Sequence, residues 1–148
     1  MMTILRNILA VIVGLVAGGG INMALVMLGP TLIPPPPGVD VTDAKSLSAG
    51  VHLFEARHFI FPFLAHALGT LAGALAAFLV AGSHRSVFAY AIGAVFLAGG
   101  IAASFMIPAP LWFIVLDLFL AYIPMAWIGT MAGRRLSGPV HGTNESAA

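Results

Sequence analysis

The chain has 148 residues, of which 60% are hydrophobic and only 7% are charged. Soluble domains carry about a quarter charged residues, and disordered chains are poor in apolar ones, so both classes are excluded. The formal net charge of +1 leaves no basic surface for nucleic acid. Cysteine is absent, which excludes disulfides and thiolate metal sites. The apolar residues fall in four blocks, each close to the roughly 20 residues that a helix needs to cross the hydrocarbon core of a membrane.

The four apolar blocks predict four transmembrane helices in an all-α protein. In chain order, the spans cover about residues 8–28, 59–81, 87–107 and 111–132. Gly29 and Pro30 close the first span, which is too long for a cleaved signal peptide. Turns of a few residues join the later spans and favour antiparallel neighbours. We therefore expect one domain, residues 1–135, folded as an integral membrane bundle of four antiparallel helices.

The distribution of Lys and Arg predicts the orientation of the bundle. One set of span ends carries four arginines, whereas the other set has only Lys45 and Arg57. The four are Arg6, Arg85, Arg134 and Arg135. Because cytoplasmic ends carry the excess of Lys and Arg, both termini are expected in the cytoplasm. The short polar segment 136–148 is predicted to be a disordered cytoplasmic tail.

The longest loop, residues 30–57, is then expected outside the cell. Pro34 to Pro37 predict a stiff polyproline II spacer. Thr42 or Asp43 is suited to cap the start of a helix. We expect this helix to continue over residues 46–58 as a short external amphipathic segment whose apolar side chains face the membrane surface.

Pairs of glycines four residues apart occur on three of the spans. In membrane helices such pairs let the backbones of two helices approach closely. These helix-packing residues are Gly14, Gly18, Gly69, Gly73, Gly129 and Gly133. We expect them to face other helices, either within the chain or in a second copy.

Among the charged residues, Asp117 alone lies inside a predicted span. At about 1.5 Å per residue, Asn22, His66 and Asp117 lie at a similar depth below the outer boundary. An unpaired ionisable side chain at that depth is costly, so the three are predicted to form an intramembrane polar layer, which Thr70 can join. Two interpretations stay open. The layer either only holds helices together, or it is a protonatable ligand site.

A second group of polar residues lies before the second span. In a helix, Glu55 and His58 are three residues apart, and His52 is three residues before Glu55. Glu-x-x-His pairs hold metal in di-iron helical bundles, so these three residues form a candidate metal site. The alternative is a helix end whose polar side chains bind headgroups, water or one another.

Two segments, residues 38–43 (GVDVTD) and 58–70 (HFIFPFLAHALGT), carry a resemblance to known proteins. The chain resembles a family of small four-span bacterial inner-membrane proteins of uncharacterised activity. The resemblance covers most of the chain through Arg135. It implies a location in the bacterial inner membrane and does not point to an activity.

The leading functional prediction is a non-enzymatic membrane protein, a structural or accessory subunit that packs through its glycine-rich helix faces. One alternative is a small proton-linked transporter that uses the Asp117, His66 and Asn22 layer. The other alternative is a metal-binding membrane protein that uses His52, Glu55 and His58. No cofactor is expected. The expected partners are the lipid bilayer and either a second copy or a larger membrane complex, without nucleic acid.

Overall fold

A computed structural model describes residues 1–138, and this part of the chain is helical without a strand. Six α-helices follow in chain order: α1 (Met2–Leu32), α2 (Ala44–Gly50), α3 (Ile60–Val80), α4 (Arg85–Met106), α5 (Leu111–Leu120) and α6 (Ile123–Leu136). Two short 3-10 turns, Val51–Leu53 and Ala56–Phe59, lie between α2 and α3. Four stretches are long and apolar enough to cross a membrane: Met2–Leu32, Ala56–Val80, Arg85–Met106 and Leu111–Leu136. The prediction of an all-α protein with four such stretches is confirmed.

Helix α1 is longer than the predicted first span at both ends. The prediction that Gly29 and Pro30 end this helix was wrong, because Pro30 lies inside its last turn. A proline removes a single backbone N–H, and the turn has other hydrogen bonds that close it. The backbone N–H of Ile33 donates to the carbonyl of Gly29 at 2.8 Å. The hydroxyl of Thr31 donates to the carbonyl of Leu28 at 2.6 Å.

The segment before α3 contains less helix than the sequence predicts. Asp43 is the N-cap of α2, where its Oδ2 accepts a hydrogen bond from the backbone N–H of Ser46 at 2.8 Å. The predicted continuation to residue 58 was wrong, since α2 ends at Gly50 and two 3-10 turns follow. Gly50 lies directly against Val39, so the chain folds back on itself at this point.

The fourth apolar stretch is two helices rather than one. Helix α5 ends at Leu120 and α6 begins at Ile123, so the predicted fourth span is present as one apolar stretch, Leu111–Leu136, but its helix is interrupted. Pro124 explains the break, because its ring clashes with the carbonyl four residues earlier and it has no N–H to donate. Tyr122 lies in the break with φ −117° and ψ −81°.

The six predicted packing glycines all lie at close approaches between helices. A Cβ built on Gly14 would lie 2.9 Å from the carbonyl oxygen of Gly73, and one on Gly18 would lie 2.7 Å from that of Gly69. The backbones of α1 and α3 are therefore in direct contact. Helix α3 also contacts α6, where the backbone of Leu71 faces Gly129 and the ring of Phe78 faces Gly133.

Polar contacts hold three separate parts of the chain together at one end of the helices. The side chain of Asn7 accepts hydrogen bonds from the backbone N–H groups of Gly82 and Ser83, at 3.0 and 3.2 Å. Arg85 donates to the hydroxyl of Ser137 at 3.1 Å, and an equivalent bond joins α6 to the start of α4. The predicted tail was to begin at residue 136, but Leu136 ends α6, and residues 139–148 lie outside the described residues.

Candidate functional site

The side chains of His66 and Asp117 form a direct pair between α3 and α5. Nδ1 of His66 lies 2.9 Å from both carboxylate oxygens of Asp117. The side chain of Asp117 is 7% exposed, whereas that of His66 is 26% exposed. The imidazole therefore lies between the buried carboxylate and the space inside the bundle. A charged or polar group at this position is costly in an apolar environment unless it is paired, and each residue supplies the partner of the other.

Tyr122 completes this site, although no spacing in the sequence marks it. Its hydroxyl donates to Oδ2 of Asp117 at 3.1 Å. Its ring stacks on the imidazole of His66, with centroids 5.7 Å apart and planes 29° apart. The hydroxyl lies directly against Gly100 of α4, where a Cβ would collide with it. We call His66, Asp117 and Tyr122 the polar triad.

Asn22 and Thr70 lie beside the triad, but they do not hydrogen-bond to its side-chain atoms. The hydroxyl of Thr70 donates to the backbone carbonyl of His66 at 2.7 Å, within α3. Asn22 lines the same cavity as the imidazole. Of the predicted layer, His66 and Asp117 are thus hydrogen-bonded to each other, and Asn22 lines a cavity beside them. Tyr122 is an additional member.

A cavity of about 470 Å³ extends from the triad to the segment before α3. We call it the loop-side cavity. Residues from the ends of α1 and α4, the starts of α3 and α5, and the segment 33–59 line it, with His66 and Asp117 among them. The volume lies within the range of about 300–1,000 Å³ that small-molecule sites occupy. Apart from the triad members, most of the wall is apolar.

A second cavity, of about 240 Å³, also reaches the imidazole and lies between α1, α3 and α4. We call it the central cavity. Its polar wall consists of Asn22, His66, Thr70 and Tyr122. A Cβ built on Gly19 or Gly99, at its edge, would meet no atom within 4 Å. Because His66 lines both cavities, a proton or a ligand that enters either one reaches the same ring.

Beyond the triad, towards the turn between α3 and α4, buried side chains pack between the helices. A cluster of buried side chains fills this half: Ala74, Phe78, Ala89 and Ala126. Ile92 and Thr130 are also fully buried here. The helices are therefore closely packed around these residues, which we call the closed half, whereas the two cavities lie at the level of the triad and towards the loop.

Comparison with other proteins does not extend this description. No protein-family model, curated protein or solved structure matches the chain. The resemblance of residues 38–43 and 58–70 to four-span inner-membrane proteins therefore stays a prediction. What the site can do follows from its own geometry.

The structure does not assemble the metal site considered for His52, Glu55 and His58. Glu55 is paired with Arg57, with Nε and Oε2 3.1 Å apart. Nδ1 of His58 accepts the backbone N–H of Glu55 at 3.0 Å, and its ring lies edge-on to Phe54. Within residues 1–138, no group of three His, Asp or Glu side chains is arranged to hold a metal ion. The three residues are not on one continuous helix, which is why the helical spacing does not gather them.

Proposed function

We propose that the chain is a multi-pass protein of the bacterial inner membrane, built as an antiparallel four-helix bundle with both termini in the cytoplasm. The contacts of Asn7, Arg85 and Arg134 support this topology, because they gather the start of α1, the α3–α4 turn and the end of α6. Because Lys and Arg concentrate on the cytoplasmic side of membrane proteins, we assign this Arg-rich end to the cytoplasm. The segment 33–59, with α2, then lies outside.

The absence of cysteine makes this topology directly testable. Single-cysteine variants at two exposed positions, Thr3→Cys and Ser48→Cys, are treated with a membrane-impermeant maleimide on intact cells. The proposal expects labelling of Ser48→Cys in intact cells and of Thr3→Cys only after the membrane is opened. The reverse pattern would refute the orientation.

We further propose that the protein is a small proton-linked carrier, and the observation that supports it best is the position of the polar triad. His66 and Asp117 line a cavity that extends to the segment before α3, and a cluster of buried side chains packs further along the helices. Discontinuous helices frequently form the binding sites of transporters, and the break between α5 and α6 lies at this depth. Ionisable residues inside spans mark such sites more often than they serve as packing.

A carrier needs a group that takes up and releases a proton in contact with its ligand, and the triad supplies one. Nδ1 of His66 and the carboxylate of Asp117 lie 2.9 Å apart, which is hydrogen-bond distance, so a proton can pass directly between them. The titratable groups that line the cavities are few. His66 lies on α3 with His58 just before that helix, Asp117 lies on α5 and Tyr122 in the following break, whereas α1 and α4 contribute none.

The experiment measures water access to the cavity as a function of pH. Ala103 lines both cavities, whereas Ala89 on the same helix is fully buried in the closed half. In proteoliposomes, Ala103→Cys is expected to react with an external maleimide and Ala89→Cys is not. The rate for Ala103→Cys, divided by that for Ser48→Cys to remove the intrinsic pH dependence of thiols, should change between about pH 5 and pH 8.

The variant Asp117→Asn separates this proposal from a structural role. A carrier loses the pH dependence of labelling when the carboxyl is replaced by an amide. If Ala103→Cys labels independently of pH in both backgrounds, the carrier proposal fails. A lowered melting temperature alone would then mean that the triad only joins helices. The six packing glycines contact residues within the chain, so an accessory-subunit role would rest on other surfaces.

A further inference from the structure

Within residues 1–138, the residues that line the two cavities include a negatively charged side chain but no Lys or Arg. Among their lining residues, within the part of the chain that the structure describes, there is no Lys and no Arg, and Asp117 is the only carboxylate. The other ionisable residues are His58, His66 and Tyr122. A ligand with a carboxylate or phosphate would meet no permanent positive charge and would face the negative charge of Asp117.

Aromatic rings form much of the remaining wall. They are Phe54, Phe59, Phe61 and Phe113 in the loop-side cavity, and Phe96 and Tyr122 in the central cavity. The rings of Phe59 and Phe113 are in contact, with centroids 4.8 Å apart and planes tilted by 38°. The face of an aromatic ring attracts cations, most strongly where water is excluded. A carboxylate at the floor of an aromatic, apolar cavity is the combination that recognises a hydrophobic cation.

We propose that the ligand of the polar triad is a lipophilic monovalent cation, bound beside Asp117 in exchange for one proton. This inference rests on the proposed carrier function and names its substrate class. The cation is one with hydrophobic substituents, such as an aromatic ammonium or phosphonium ion, because most of the cavity wall is apolar. A small hydrated cation lacks the oxygen ligands that it prefers, since Asp117 is the only carboxylate there.

The exchange balances charge at the site. Before the cation enters, His66 and Asp117 hold one exchangeable proton in addition to the ring N–H of neutral imidazole, and the pair carries no net charge. When the cation binds, that proton leaves to water, His66 is neutral and the carboxylate of Asp117 faces the cation. One positive charge enters as one leaves, so the low-dielectric interior never holds an unpaired charge. Tyr122 keeps its hydrogen bond to Oδ2 throughout, which holds the carboxylate in place.

The test compares two probe ions of nearly the same size and shape but opposite charge. Native protein in nanodiscs of phosphatidylcholine is dialysed against tetraphenylphosphonium or tetraphenylborate, and binding to empty nanodiscs is subtracted. The proposal expects saturable binding of tetraphenylphosphonium and none of tetraphenylborate. Affinity for the cation should weaken by up to about tenfold for each unit of falling pH, because one proton competes with it. Equal binding of both ions, or preference for tetraphenylborate, would overturn the proposal.

Variants then locate the binding at the triad. Asp117→Asn is expected to weaken tetraphenylphosphonium binding by at least about tenfold and to remove its pH dependence. Asp43→Asn is the matched control, because Asp43 lies outside both cavities and Asn is equally good as an N-cap. Unchanged binding in Asp117→Asn would overturn the inference. If the cation does not bind but the labelling of Ala103→Cys still depends on pH, the inferred ligand is wrong. The carrier function would then be retained with another ligand.

Discussion

The ring of Tyr122 lies on the imidazole of His66, with the two centroids 5.7 Å apart, and its hydroxyl also reaches Asp117. One tyrosine thus contacts both members of the buried pair. It fixes the ring plane of His66 by stacking and one carboxylate oxygen by hydrogen bonding. The geometry of the pair therefore depends on how the chain turns between α5 and α6.

Replacing Tyr122 with Phe tests the contribution of its hydroxyl. The variant keeps the stacked ring but removes the hydrogen bond to Asp117. We expect a loss of about 1 kcal/mol in the free energy of unfolding, as for other hydrogen bonds within membranes. The measurement is detergent-induced unfolding in mixed micelles. Tyr90→Phe is the control, since Tyr90 is exposed on α4 and has no described hydrogen bond. Equal stability of Tyr122→Phe and the native chain would show that the hydroxyl is not needed.

Replacing Pro124 with Ala tests why the fourth stretch is broken. Alanine restores an N–H and removes the ring, so we expect α5 and α6 to join. Spin labels at the exposed positions Val115 and Ile128 should then move towards the roughly 20 Å spacing of 13 residues in a straight helix. Pro37→Ala, in the loop, should leave this distance unchanged. An unaltered distance in Pro124→Ala would mean that packing around Tyr122, rather than proline, makes the break.

The sequence was sufficient to predict the helical class and the four apolar stretches, because these depend on composition and local periodicity. Depth along the spans also predicted that His66 and Asp117 lie at one level, where the structure has them hydrogen-bonded. Tyr122 could not be found in this way. In a continuous helix, residues five apart point about 140° away from each other, so Asp117 and Tyr122 would not meet. They meet only because the helix breaks between them.

Asn7 and the segment before α3 show a second kind of feature that the sequence could not predict. Asn7 holds the α3–α4 turn through two backbone N–H groups more than 70 residues away, and no local pattern marks such a contact. The helix predicted over residues 46–58 ends at Gly50, which lies against Val39. Tertiary contacts therefore outweigh the local preference for helix there. Both cases depend on contacts that sequence periodicity does not contain.

Substituting Gly69 tests the contact between α1 and α3. A Cβ at this position would lie 2.9 Å from the carbonyl oxygen of Gly18 and 3.1 Å from Cβ of Asn22. Displacing backbone atoms is energetically costly, so we expect Gly69→Ala to lower the free energy of unfolding by about 1–3 kcal/mol. Gly19→Ala is the matched control, because nothing lies within 4 Å of its Cβ, and it should not be destabilised. Equal effects of the two substitutions would contradict close packing of these helices.

Asp40 lies in the segment before α2, outside the apolar stretches. The hydroxyl and the backbone N–H of Thr42 both donate to its Oδ1, at 2.7 and 2.8 Å, and hold the pKa of this carboxyl below its ordinary value of 3.8. Since the folded pKa is the lower one, the ionised carboxylate stabilises the turn above the ordinary value. That contribution is lost as the pH falls through the folded pKa.

Thr42→Val should raise the pKa of Asp40 part of the way back, because the hydroxyl donor is lost while the backbone N–H remains. The measurement is a titration of the aspartate carboxyl carbon resonances by NMR. Ser48→Ala, at an exposed serine of α2 without a described contact to Asp40, should leave the titration unchanged. If Asp40 titrates at the same pH with Val at position 42, then the hydroxyl of Thr42 does not stabilise the charge. The turn before α2 would then be held by the backbone and by Ser46, whose hydroxyl accepts the N–H of Asp40 at 2.9 Å.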